Sequence, residues 1–113
     1  MPATNPVNPL SPAMHHILLA LLEGDLHGYA IMQSVETLSN GALRIGPGTL
    51  YGTLKRLLEQ GLVVETDERP AADDERRRYY RLTPSGREAV RQETTRLSRL
   101  VRFASRHARW AEA

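Results

Sequence analysis

Residues 46–64 read GPGTLYGTLKRLLEQGLVV, and residues 76–83 read RRRYYRLT. The first stretch predicts a helix that stops sharply and passes into a strand. Pro47 suits the first helical position, where a missing N–H costs little, and Gly46 and Gly48 let the chain turn in tightly. Leu50, Leu54, Leu57 and Leu58 then repeat at helical spacing. Gly61 is placed to take the left-handed conformation that ends many helices. Leu62-Val63-Val64 opens a strand that turns polar through Glu65-Thr66-Asp67-Glu68, and residues 70–75 form a charged loop. Residues 76–82 return as a second strand, with Arg78, Tyr80 and Leu82 on one face and Arg77, Tyr79 and Arg81 on the other. Tyr80 and Leu82 are expected to pack on the helices, leaving Arg76, Arg77 and Arg78 near the tip of the hairpin. Helix, strand, loop and strand in this order are a winged helix-turn-helix.

The residues off the leucine stripe point to DNA. Gly48, Thr49, Tyr51, Gly52, Lys55 and Arg56 form a face of small, hydroxyl-bearing and cationic groups. Small residues allow close approach to a duplex, while hydroxyls and cations reach phosphates and base edges. Arginines on a wing can enter a minor groove or grip phosphates. An amphipathic helix with a solvated outer face, and a wing whose arginines pair with Asp73, Asp74 and Glu75, are the plainer readings of the same residues.

Composition narrows the class. With 113 residues the chain makes one domain, and a net charge of +2 does not make it a polyelectrolyte. Fourteen arginines stand against the single Lys55, and the guanidinium fork matches phosphate and guanine better than an ammonium does. There is no cysteine, hence no disulfide framework and no thiolate metal site. No signal peptide is evident, and the apolar run 17–22 is too short to cross a bilayer. A cytoplasmic location without a membrane partner is the expectation. His15, His16 and His107 offer no metal-ligand spacing, the serines lack histidine and acid partners, and the glycines match no nucleotide fingerprint. Neither a metal, a cofactor nor an enzymatic activity is expected.

The rest of the chain divides simply. Residues 1–10 hold three prolines and form an arm; residues 11–84 form the DNA-binding domain; residues 85–113 form a C-terminal helix. Ser11-Pro12 caps and opens a helix reaching Glu23, apolar on most of its circumference and therefore buried on more than one side. A second helix spans residues 27–38, capped or flanked by His27, with Tyr29, Ile31, Met32 and Val35 inward. A turn at Ser39-Asn40-Gly41 follows. Thr83-Pro84 opens the last helix, which extends to about Trp110. Its apolar residues Val90, Leu97, Leu100, Val101, Phe103, Ala104 and Ala108 have little domain left to cover. Pairing with a second copy, helped by Ile17 and Leu21 of the first helix, would bury them. The fold class expected is mainly α with a small β-hairpin, a winged helix-turn-helix plus a C-terminal dimerisation helix.

Four stretches together resemble the PadR-like transcriptional regulators of the short kind with one C-terminal helix. They are His27-Gly28-Tyr29-Ala30-Ile31, Pro47-Gly48-Thr49-Leu50-Tyr51 with Leu54-Lys55-Arg56-Leu57, Gln60-Gly61-Leu62-Val63, and the run from Arg77 to Gly86. The resemblance implies a homodimeric repressor of pseudo-palindromic operators, with Thr49, Tyr51 and Lys55 facing DNA, Tyr29 near a phosphate and residues 76–78 on the wing. It also implies a small-molecule inducer at the dimer centre, for which Phe103 and Trp110 are the aromatic candidates. The alternative is a winged-helix protein-interaction module that binds no operator. Nonspecific duplex binding at low salt separates the two, because that binding is electrostatic.

Overall fold

A computed structural model describes residues 9–67 and 77–109. Helix α1 (Pro12–Ala20) tightens into a 3-10 turn at Leu21–Glu23, so the last turn of the expected first helix is wound differently. Strand β1 (Leu26–His27) leads into α2 (Gly28–Leu38), and α3 (Pro47–Glu59) follows the turn. Strands β2 (Val63–Thr66) and β3 (Tyr79–Leu82) then precede α4 (Pro84–His107).

Each helix begins where a side chain or a proline replaces a missing partner. Ser11 Oγ accepts from Met14 N–H at 3.2 Å, ahead of Pro12. His27 Nδ1 accepts from Ala30 N–H at 3.3 Å, and Gly46 in extended conformation precedes Pro47. Thr83 acts twice: its hydroxyl accepts from Gly86 N–H at 2.9 Å and donates to Gly61 C=O at 2.7 Å. The cap of α4 is thereby tied to the end of α3. That end carries Gly61 at φ 75°, with Leu62 N–H donating to Leu57 C=O at 3.0 Å. This is the left-handed stop expected from the sequence.

Helix α1 is the centre of the packing, lying against α2, α3 and α4. Ile17, Leu18 and Leu21 meet Ile31 and Val35 of α2 in one core with Leu50, Leu54 and Leu57 of α3. Val63, Tyr80, Leu82 and Val90 close it from the sheet and α4. Ile17, Leu21 and Val90 are therefore corrections to the expected dimer interface. One chain already buries all three, which leaves them no surface for a partner. Tyr29, expected on the inward face of α2, is instead 62% exposed; Ile31 and Val35 take the inward positions.

The wing also differs from a hairpin. β1 pairs antiparallel with β3 through Leu26–Tyr80 and His27–Tyr79, so the sheet has three strands in the order β1-β3-β2. β3 is central, and Tyr79, assigned to the outer face, is buried beside the His27 ring at a centroid distance of 5.4 Å. Asp25, just before β1, accepts from the Arg81 guanidinium on both carboxylate oxygens, Nε donating to Oδ1 at 3.1 Å and to Oδ2 at 3.2 Å and Nη2 to Oδ2 at 2.7 Å. That fork ties β1 to β3. A two-residue strand has no alternation to reveal it, which is why the sequence shows only β2 and β3.

His15 is buried between α1 and α4, and its Nε2 has no hydrogen-bond partner among the described residues. Burial holds this imidazole below its ordinary value of 6.5; the nearby Glu93 opposes the shift, while His16 and Arg96 add to it. The unfolded chain therefore binds the proton more tightly than the folded one. The stability contributed by the neutral ring is complete above pH 6.5 and is lost as the pH falls below it. Urea midpoints compared at pH 7.5 and 5.5 should fall more for the native chain than for His15→Leu. Equal falls would remove His15 from the acid response.

Candidate nucleic-acid interface

Helix α3 has two distinct faces. Leu50, Thr53, Leu54 and Leu57 are buried, while Gly48, Thr49, Gly52, Lys55 and Arg56 are exposed and Tyr51 is half exposed. The six residues expected to meet DNA thus share one open side of the helix. Neither Lys55 nor Arg56 forms an ion pair among the described residues, so both charges are available to an anion.

Tyr51 connects this face to α2. The tip of its ring rests on Gly28, and a side chain begun at Gly28 would stand 3.0 Å from Tyr51 Cζ and 3.2 Å from Leu50 Cδ2. A side chain there would have to displace the tip of Tyr51 from its place between the two helices. Nothing in the sequence around Gly28 indicates this, because the neighbour concerned is twenty-three positions away.

Between the start of α2, α3 and the sheet lies a cavity of about 380 Å³, lined by His27, Gly28, Tyr29, Tyr51, Arg77, Arg78 and Tyr80. It brings together Tyr29, Tyr51, Arg77 and Arg78, which the sequence assigned to DNA from three separate segments. Arg77 does not extend along the wing: its Nη1 lies 3.0 Å from His27 Nε2. Arg78 is within 3.9 Å of Glu65 on β2, an exposed and loose pairing that contributes little. Burial, reinforced by Glu65 and Tyr51, raises the Tyr80 phenol, which keeps it a neutral hydrogen-bonding group. Arg76 and the acids of residues 73–75 lie outside the described residues, as does Trp110.

The second half of α4 presents another kind of surface. Leu100, Val101 and Phe103 are each more than half exposed, and Leu97, Ala104 and Ala108 are partly covered. The Phe103 ring stacks on His107 at 4.4 Å. Arg91 pairs with Glu88 and Arg96 with the buried Glu93, whose carboxyl the Arg96 hydrogen bonds hold below the usual range. No described helix is long and apolar enough to cross a membrane.

Residues 17–92 match the model of the transcriptional regulator PadR-like family. An 87-residue stretch is 40% identical to the transcriptional regulator Rv3488 of Mycobacterium tuberculosis, covering 77% of each chain. An 84-residue stretch, 74% of this chain, is 44% identical to an uncharacterised 37.1 kDa protein in a transposon of Streptomyces fradiae, of whose length it covers 22%. A PadR family regulator from Clostridium difficile superposes with a TM-score of 0.72 at 21% identity, over 85% of this chain and 97% of that one. Bacillus subtilis PadR, solved in complex with operator DNA, superposes with a TM-score of 0.58 at 23% identity, over 69% of this chain and 44% of that one. The winged helix, the face of α3 and the matched family model lead to one conclusion: the chain belongs to the PadR-like family of transcriptional regulators.

Proposed function

We propose that the chain is a cytoplasmic homodimeric repressor that places two copies of α3 in successive major grooves of a pseudo-palindromic operator. The observation that carries this reading is the open face of α3, Gly48 to Arg56, continuous through Tyr51 with a cavity walled by Arg77 and Arg78. Thr49 and Tyr51 meet backbone and base edges, Lys55 and Arg56 neutralise phosphate, and Gly48 allows the close approach. Tyr29, Arg77 and Arg78 flank the groove, the expected role of Arg76 falling outside the described residues. The stripe of α4, with Leu100 and Val101 exposed and Leu97, Ala104 and Ala108 partly covered, supports a two-fold seam, and matched half-sites need such a dimer. Residues 85–113 would then serve assembly and residues 11–84 recognition, while the arm expected at residues 1–10 falls almost wholly outside the described residues. Phe103, exposed in the seam, supports an inducer that binds two arrangements of the subunits unequally and so shifts the population.

The test is selection of bound duplexes from a randomised pool at near-physiological salt. The expected product is one inverted repeat with half-site centres about 34 Å apart, one helical turn. On that site Lys55→Ala should flatten the log–log salt dependence by about one unit while weakening all sequences alike. Recovery of no enriched motif, with no salt-sensitive duplex binding, would reject operator recognition in favour of a protein-docking role.

A further inference from the structure

Asp25 carries no motif, yet the fold sets it at the root of the wing. Gly24, at φ 147°, ends the 3-10 turn after α1 and lets the chain swing directly into β1. In the β1–β3 ladder Leu26 stands opposite Tyr80 and His27 opposite Tyr79, which makes Asp25 the next position in register, opposite Arg81. There the guanidinium closes on both carboxylate oxygens, with Nη2 at 2.7 Å from Oδ2. The pair is half-buried. A planar fork on a carboxylate fixes direction as well as distance, which a flexible ammonium does not.

β1 is two residues long, and so short a ladder holds a strand only weakly. The fork at one end and the Tyr79–His27 ring contact at the other tie it to β3, side chain to side chain. β1 runs on into α2, whose Ile31 and Val35 are in the core, so this edge belongs to the helical body. On its other edge β3 pairs with β2 over four residues, and the two strands form the wing. Val63, Tyr80 and Leu82 seat the base of the wing from its inner face. Arg81 holds it from the outer face, and so sets the angle at which Arg77 and Arg78 stand beside α3. We propose that Asp25, acting through Arg81, is the positioning residue of the wing, aiming its arginines at the DNA backbone without touching DNA itself. This rests on the DNA-binding reading above and adds to it an acid whose charge opposes the partner it serves.

The sign of one substitution tests this. Asp25→Asn removes a negative charge, so electrostatics alone would tighten binding to a polyanion. The positioning role requires the reverse. A short duplex of arbitrary sequence should bind Asp25→Asn about tenfold more weakly, the order of one charge-assisted contact. The log–log salt dependence should flatten by about one unit, although no cation has been removed. Arg81→Lys keeps its charge but cannot form the fork, and should do the same, while Asp25→Glu, which can rebuild it, should recover most of the native affinity. Both losses have one cause, so Asp25→Asn with Arg81→Lys should lose no more than either alone. Adding Lys55→Ala to Asp25→Asn should take off a further unit of slope, since α3 stays seated; a variant that had merely unfolded would have no such unit left to lose. Arg78→Ala, read in parallel, reports the wing directly. If it flattens the slope while Asp25→Asn binds as tightly as the native chain, the proposal is overturned. If neither changes the slope, the DNA contact of the wing fails and the proposal falls with it, so the two failures are distinguishable.

Discussion

Leu100→Asp together with Val101→Asp is expected to give a folded monomer whose operator affinity drops to the nonspecific level, by about a thousandfold or more. Both side chains lie on α4 beyond the domain core, 56% and 63% exposed in one chain. Charging them therefore removes no packing within the subunit, and exposed substitutions of this kind usually leave stability within about 0.5 kcal/mol. In a two-fold seam the same change buries four carboxylates against each other, which a helical pair does not tolerate. A single subunit can contact only one half-site, and the binding energy of the second is lost. Sedimentation velocity and operator titration on one preparation check both halves of the prediction. A double variant that still sediments as a dimer would place the interface elsewhere. Equivalent substitutions at Ile17, Leu21 or Val90 would not test the seam, since those residues are core and their loss would unfold the domain.

Gly86→Ala is expected to destabilise the chain by about 2 kcal/mol, a large share of the roughly 5–15 kcal/mol typical of such domains. Gly86 is buried in the first turn of α4, directly against the Leu62 carbonyl. An added Cβ would also meet Leu82 Cδ1 at 2.7 Å and the Leu62 carbonyl carbon at 3.1 Å. The Leu62 backbone cannot swing aside, because its N–H is bonded to Leu57 C=O and its C=O to Thr83 N–H. Overpacking against fixed neighbours costs about 3 kcal/mol, and alanine's better helix propensity recovers about 1. The balance is a loss. It would appear as a lower urea midpoint at unchanged slope. A midpoint within error of the native one would show that α4 can move off Leu62, and that the Thr83 cap is not the rigid joint described above. Gly28 has the same need for a missing side chain, but its neighbour is the movable tip of Tyr51.

The helices were legible because each carries its own punctuation. Ser11-Pro12, Pro47, Gly61 and Thr83-Pro84 mark ends through contacts within four or five residues of chain, and α1, α3 and α4 begin as they predict. The open face of α3 was legible for a related reason: helical spacing puts the leucines on one side whatever they pack against. His27 was read as a cap, which it is, but its second nitrogen meets a residue fifty positions later. Tyr29 was read two ways, inward on α2 and near a phosphate, and its exposure excludes the first.

By itself the sequence determined the order of the four helices and of β2 and β3, where each helix begins and which side of α3 is left open, since all of these follow from interactions of short range along the chain. The tertiary structure alone decided how apolar surface is shared between the core and the open side of α4. Ile17, Leu21 and Val90 go to the core and Leu100 and Val101 stay outside, although all five are equally apolar in the sequence. It also decided that β3 has a partner on each side and that His27, Tyr51 and Arg77 border one cavity. The physical reason is common to these cases. Burial and long-range pairing depend on which elements come together in space, and local periodicity carries no information about the neighbour.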